Sequence, residues 1–243
     1  MKIEVWSDFV CPFCYIGKRR LEEALAQFSF RDQVEVEFKS FELDPYSPKY
    51  NGKSIHEVLA KKYGMSLDQA KQANLNVGQQ AANVGLTFHF DSMKPTNTFD
   101  AHRLTKFAKT LKKEGKVTEK LLYAYFSESQ DLGDHKTLAE IAVAAGIDRE
   151  ETLAVLQDQS AFANEVRLDE AEARKYGISG VPYFVFNQKF AISGAQPTEM
   201  FSNALQKAWQ EESATPILKV LSTEGTEDAS CSDGNCIIPD KKK

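Results

Sequence analysis

Cys11 and Cys14 lie within FVCPFCYIGKRR (residues 9–20), three positions apart, behind an apolar run and ahead of basic helix formers. Such a pair is a redox couple, half of a metal site, or two buried small hydrophobes. Residues three apart on a helix have β-carbons about 5–6 Å apart, and a disulfide needs roughly 3.5–4.5 Å, so small adjustments at a helix end permit closure. A cysteine at a helix N-terminus faces unpaired N–H groups and the positive end of the dipole, which favour thiolate, the attacking species. On that reading Cys11 is the nucleophile, and Cys14, one turn further in, is the covered resolving thiol. Pro12 suits a first turn, where N–H groups lack helical partners anyway. Cys231 and Cys236 form a second pair around SDGN, a turn sequence that lets them approach. All four thiolates together make the rival zinc reading, that of a zinc-stabilised binding module. The helix behind the first pair and the four-residue gap in the second speak against it.

The elements that position these residues follow from periodicity. Lys2 to Trp6 alternates β-branched and aromatic residues with charged ones, as a short strand does. From Phe13 to Phe28, Ile16, Leu21, Leu25 and Phe28 fall near helical spacing among Lys, Arg and Glu, which puts Cys11 at a helix N-terminus. VEVEFKSF (34–41) alternates again, so a β-α-β unit spans residues 2–41, and LDPYSPKYNG ends it. From about Ser54 to Tyr176 the chain reads as helices: SIHEVLAKKYG, SLDQAKQANLNVGQQAANVG, NTFDAHRLTKFAKTLKKEG, VTEKLLYAYFSES and KTLAEIAVAAG. Ser66 and Asn97 stand as N-caps, and Gly64, Gly85, Gly115 and Gly146 as C-terminal caps, with only short fragments such as LTFHF between. Strands return at Tyr183–Phe186 and Lys189–Ser193, with Asn187 and Gln188 as the two hairpin residues, and a last helix runs from about Thr198 to Gln210. The expected fold class is α/β, a thioredoxin-like fold with a large inserted helical domain. Its expected divisions are residues 1–50 with 177–212, the insertion at 51–176, and a flexible, acidic tail at 213–243.

This order, together with CPFCYIGKRRLE, NTFDAHRL and SGVPYFVF, resembles the DsbA-like thiol-disulfide oxidoreductases, and the FrnE-like branch among them, over residues 1 to about 210. The related 2-hydroxychromene-2-carboxylate isomerases and kappa-class glutathione transferases generally carry a serine where this chain has Cys11. Both cysteines are present here, which favours disulfide chemistry. The resemblance implies a cis peptide at Val181–Pro182 facing the CPFC, leaving Val181 to pair its backbone with an extended substrate; the alternative is a plain strand-initial proline. It also implies substrate contacts for Phe13, Asn97 and His102, beside the plainer readings of a helix cap at 97 and a core-edge histidine at 102. DsbA itself has a histidine where Phe13 stands, so the implied couple is less oxidising. For Cys231 and Cys236 the resemblance implies an auxiliary redox couple, with incidental tail thiols as the alternative.

Composition bounds the rest. The 243 residues, 42% of them hydrophobic, suffice for a sizeable core without stapling disulfides. A net charge of −5 with both signs dispersed gives no basic patch, so neither nucleic acid nor a membrane surface is an expected partner. The opening MKIEVWSDF lacks a charged leader with an apolar core, and the expectation is a soluble, cytoplasmic protein whose paired cysteines do redox rather than structural work. His56, His89 and His135 have no partners at ligand spacing and receive no function. The reading is thus a thiol-disulfide oxidoreductase needing no cofactor or metal, with protein or small-molecule thiols and disulfides as partners and a homodimer left open. A glutathione-dependent isomerase or transferase on the same scaffold is the alternative enzyme.

Overall fold

Along β1 (Lys2–Ser7), Ile3 and Val5 join one apolar cluster and Trp6 another, the two-residue period of a strand buried on both faces. The computed structural model describes residues 1–213 and the short strands 230–232 and 235–237. After β1 come α1 (Pro12–Ala26) and β2 (Glu35–Ser40), then a helical run of α2 (Ile55–Tyr63), α3 (Leu67–Ala82), α4 (Phe99–Thr110) and α5 (Glu114–Phe126). The run continues through α6 (His135–Ala144), α7 (Arg149–Gln157) and α8 (Ala163–Lys175), and β3 (Tyr183–Phe186), β4 (Phe190–Ser193) and α9 (Thr198–Ser213) follow. The sheet order is β2-β1-β3-β4, with β1 and β2 parallel and the other pairs antiparallel. This is the expected thioredoxin-like order, and Met1–Glu212 forms one compact unit.

Two layers enclose α1. Leu21 and Ala24 pack with Phe184, Phe186 and α9's Phe201 and Leu205, while Tyr15 and Ile16 turn toward Leu104, Leu121 and Phe126 of the helical run. The opposite sheet face is charged. Glu4 and Glu37, which a solvated face would expose, are buried and surrounded by Lys2, Lys39 and Lys109. Lys39 also pairs with Asp169 and Glu172 of α8.

The outer edge of β2 is met by side chains instead of a strand. The Phe38 N–H donates to Glu114 Oε2 (3.1 Å), Lys106 Nζ donates to the Phe38 carbonyl (3.0 Å), and the Ser40 N–H donates to Asp169 Oδ2 (2.7 Å). Outward-facing backbone groups are thereby satisfied from α4, α5 and α8.

Local signals account for most boundaries. Ser54 with Glu57 and Ser66 with Gln69 form reciprocal capping boxes, and Gly64 closes α2 in the left-handed region at φ 64°. Gly115 is not a C-cap. The break between α4 and α5 falls earlier, where Lys112 adopts φ 57° and the Lys113 N–H returns to the Ala108 carbonyl (2.8 Å), so Gly115 sits in the first turn of α5. The cap of α4 is Thr98 rather than Asn97, whose Oδ1 accepts the Phe99 N–H one residue out of phase (2.9 Å). In the β3–β4 hairpin Asn187 and Gln188 both take positive φ, and Lys189 joins the loop because Phe186 pairs with Phe190.

A separate hairpin pairs β5 (Ser230–Ser232) with β6 (Asn235–Ile237), placing Cys231 opposite Cys236. The rest of the tail, expected to be flexible, and the side chains of its two cysteines lie outside the described residues.

One ion cluster yields a pH expectation. Burial alone would raise the Glu119 carboxyl, but hydrogen bonds from Arg19, Lys18 and Tyr15 and the Lys18 charge outweigh it and hold the pKa at about 2, against an ordinary 4.5. A folded-state value below the unfolded one stabilises the fold above about pH 4.5 and is lost as pH falls toward 2. Urea midpoints should drop across that window, and Glu119→Gln should flatten part of the drop. Glu37, held at about 2 chiefly by Lys109 and Lys2 against its own burial, keeps the remainder. Identical pH profiles for parent and variant would contradict this.

Candidate active site

Strand β1 delivers the chain into a tight turn, Ser7-Asp8-Phe9-Val10, from which α1 starts. The Cys11 N–H donates to the Asp8 carbonyl (3.2 Å), making Cys11 the N-cap, and Pro12 opens the helix. No acidic side chain occupies that first turn, so nothing there offsets the positive end of the dipole at Cys11. Both thiols are free, and both residues are buried. The Cys11 thiol donates to the Val181 carbonyl (3.6 Å), and Cys14 Sγ accepts the Asp8 N–H (3.4 Å). Burial pushes the Cys14 thiol well up, the adjacent Cys11 sulfur adds to that, and the Ser7 hydroxyl and Asp8 amide pull the other way. The two cysteines thus differ in environment as nucleophile and resolving thiol must.

Facing them, the Val181–Pro182 peptide is cis. Val181 precedes β3, and neither its N–H nor its carbonyl takes part in the sheet ladder among the described residues. Cys11, Cys14, Phe13, Val181 and Pro182 are therefore brought together. Asn97 and His102 are not on the same surface. Asn97 ties Pro45 to the start of α4, donating to the Pro45 carbonyl (3.3 Å), and His102 lies buried beneath the turn, its Nε2 3.3 Å from Asp8 Oδ1. Each side chain holds backbone or Asp8, and neither lines the groove beside Cys11.

A family model for the DSBA-like thioredoxin domain matches residues 2–206. The chain belongs to the DSBA-like thioredoxin family. This DSBA-like chain is 42% identical to a probable DsbA oxidoreductase from Streptomyces coelicolor, whose crystal structure it matches over 99% of its own length and 100% of that chain with a TM-score of 0.84. It is 29% identical over 209 residues to the uncharacterized protein YwbO of Bacillus subtilis (strain 168), covering 84% of this chain and 94% of that protein. The fold is shared with the cytosolic disulfide reductase DsbM from Pseudomonas aeruginosa, at 14% identity, with 86% and 100% of the two chains covered and a TM-score of 0.62. Membership makes the chain a thioredoxin-fold oxidoreductase.

In this DSBA-like site a groove of about 410 Å³ opens beside Cys11, walled by Phe13, Leu43, Val58, Tyr63, Met65 and Phe90. Asp44 and Lys62 add one charge of each sign. A larger cleft of about 900 Å³, between α4 and α8, touches neither Cys11 nor Cys14; its lysines and carboxylates largely neutralise one another. Among the described residues no cluster of three or more His, Cys, Asp or Glu could hold a metal, and no helix is long and apolar enough to cross a membrane.

Two residues of the site carry little sequence signal. Asp8 is a hub. Its carboxylate accepts the Leu43 N–H (2.8 Å) and meets His102, while its own N–H and carbonyl serve Cys14 and Cys11. Gly17 is the point where α1 crosses the Pro182 strand: a β-carbon there would lie 3.0 Å from Phe184 Cζ and 3.2 Å from Pro182 Cγ. Gly17→Ala gains about 1 kcal/mol of helix propensity but forces about 1–3 kcal/mol of overpacking. The expected outcome is a lower urea midpoint together with slower Cys11 alkylation or exchange, because the displaced Pro182 and Val181 face that thiol. Parental values on both measurements would mean the strand yields without cost.

Proposed function

We propose that the chain exchanges disulfides with protein or small-molecule thiols, Cys11 attacking and Cys14 resolving. The observation that carries this reading is the pair of free thiols at one helix N-terminus, the outer one bonded to the Val181 carbonyl and the inner one enclosed. Cys11 thiolate attacks one sulfur of a substrate disulfide, and the other sulfur leaves as thiolate. Cys14 then attacks Cys11 Sγ, releasing the second substrate thiol and leaving a Cys11–Cys14 disulfide. Two electrons pass from the chain to the substrate, and the reverse sequence oxidises a dithiol.

The backbone of Val181, outside the sheet ladder and with its carbonyl against the Cys11 thiol, suits an extended segment laid alongside as an added strand. The apolar groove suits a bulky side chain near the reacting sulfur. Phe13, exposed at the rim, offers no cation to a thiolate, which favours a reducing poise and a cytoplasmic setting. Cys231 and Cys236, opposite one another in register, are an auxiliary couple in this reading, exchanging with Cys11 and Cys14. Residues 51–176 act as the inserted domain that supplies the groove's outer wall.

The test is to mix reduced protein with a disulfide-bonded peptide or with oxidised glutathione, quench by alkylation, and map disulfides by mass spectrometry. A Cys11–Cys14 bond should appear with stoichiometric reduction of the peptide. Glutathione that binds without any change in thiol state would instead favour the isomerase or transferase alternative. In the Cys231→Ser, Cys236→Ser double variant that bond should still form while steady-state turnover falls; unchanged turnover would make the tail thiols bystanders.

A further inference from the structure

Cys14 must lose a proton before it can resolve a mixed disulfide, yet it is sealed from solvent. Its residue is 2% exposed, and its sulfur is contacted by the Asp8 N–H and the Ser7 hydroxyl. Ser7 also lines a small cavity of about 10 Å³, whose other polar lining is Lys39, Ser40, His102, Thr105 and Thr118, with Phe9 and Phe38 as its apolar walls. That volume is close to the size of one water molecule, and several converging polar groups are what a buried water needs. Thr105 spends its hydroxyl on the Ala101 carbonyl (2.9 Å), but Thr118, only 1% exposed, has an Oγ1 with no hydrogen-bond partner in the protein. A buried hydroxyl left in that state calls for a partner.

We propose that this cavity holds one ordered water, bonded to Ser7, Thr118 and His102, which carries the Cys14 proton to His102 during the resolving step. The proposal rests on the exchange reading above. In the mixed disulfide, Cys11 Sγ is bonded to a substrate sulfur. Cys14 gives its proton to Ser7 Oγ, Ser7 gives its own to the water, and the water gives one to the imidazole. The resulting thiolate attacks Cys11 Sγ. The Cys11–Cys14 bond forms, and the electron pair of the broken bond leaves on the substrate sulfur, which takes a proton from solvent.

The surroundings of His102 fit the task. With Nε2–H donating to Asp8 Oδ1, Nδ1 is the ring's acceptor, and a second proton there creates an imidazolium held against a buried carboxylate. Glu42, from the segment after β2, lies within electrostatic reach of His102, though burial pushes its own carboxyl up; its Oε1 is buried without a partner, and Arg167, which bonds Oε2 (2.5 Å), reaches solvent. Lys39 of β2 opposes this from the cavity wall, although four carboxylates pair with it. Tyr125 of α5 faces Asp8 and stays neutral, pushed up mainly by burial. Phe9 packs against the ring in a tilted arrangement, with centroids 4.8 Å apart. His102 is therefore a positioning and relay residue, acting through Ser7 and the water.

The experiment uses the full chain with Cys231→Ser and Cys236→Ser as parent, reduced and mixed with 5,5′-dithiobis(2-nitrobenzoate) in stopped flow. Cys11 attack releases the first thionitrobenzoate, and Cys14 resolution releases the second. His102→Gln should slow the second release on the order of 10²-fold, flatten its pH profile, and leave the first within about twofold. Thr118→Val should slow the second release alone, and Thr118→Ser, which keeps the hydroxyl, should restore it. Second-phase rates unchanged in both variants, or equal slowing of both phases, would overturn the relay. So would a crystal structure of the reduced parent with no water in the cavity, whichever variants fold. No first release from the parent would instead sink the exchange reading, and the relay with it.

Discussion

Cys11→Ser should lose disulfide exchange down to the uncatalysed rate, whereas Cys14→Ser should keep the first step and stall on it. The asymmetry follows from where α1 begins. Cys11 is the N-cap, with unpaired helix N–H groups in front of it, and its thiol already contacts the Val181 carbonyl beside which a substrate backbone would lie. Cys14 is one turn deeper, enclosed by Ser7, Asp8 and Cys11, and burial raises its pKa, so it cannot meet an external disulfide first. With Ser at 14 nothing resolves the intermediate, and about one substrate per chain should accumulate as a mixed disulfide on Cys11. Non-reducing gels and mass spectrometry after incubation with a disulfide-bonded protein distinguish the two variants. If both trap substrate equally, the assignment of attacking and resolving sulfur is wrong.

Arg103→Leu should be the most damaging substitution outside the site, at about 3–5 kcal/mol, the usual cost of removing one partner from a buried charged cluster. Arg103 is 1% exposed and lies in α4, yet its guanidinium fans across to the connection between α7 and α8. Nε donates to the Ala161 carbonyl (2.8 Å), Nη1 to Asp100 Oδ1 (2.7 Å) and the Leu156 carbonyl (3.4 Å), and Nη2 to the carbonyls of Val155 (2.6 Å) and Asp158. Deleting it leaves the carbonyls of Val155, Leu156, Asp158 and Ala161 without this donor. Lysine has one ammonium where the fan needs a planar fork, so Arg103→Lys should recover little of the loss. Urea unfolding measures both, and a parental midpoint for Arg103→Lys would show that charge alone suffices. His102 is the next residue along α4, so loosening the fan should also slow the resolving step.

The sequence made the sheet and the cysteine pair readable because both rest on short-range pattern: alternation in KIEVW and VEVEFKSF, and a three-residue spacing ahead of amphipathic helix. What it hid depends on contacts between distant segments. Asp8 looks like any turn acid, and only the approach of Leu43 and His102 turns it into a hub. The alternation of charged residues in β1 and β2 does not show that Glu4 and Glu37 are buried, which follows only from the packing of α4 and α8 with Lys109 and the partners of Lys39. His102 and Asn97 were visible as residue types, but their direction was not, since it is set by how α4 docks. The α4–α5 break was misplaced to Gly115 because Lys112 takes the left-handed conformation without a glycine. Gly17, inside a good helix, shows its meaning only when β3 is laid against it.

The side-chain cover over β2 bears on how the architecture can be shortened. Glu114, Lys106 and Asp169 belong to three different helices, α5, α4 and α8, and each answers one outward backbone group of Phe38 or Ser40. A chain in which residues 51–176 were replaced by a short linker would present those groups bare, beside a hydrophobic sheet, as a template for the same strand of another copy. It would tend to polymerise edge to edge rather than stand as a minimal redox domain. The helical run is thus a solubility device as well as the wall of a groove, and any trimmed version needs a charge, a proline or a bulge on β2 in its place.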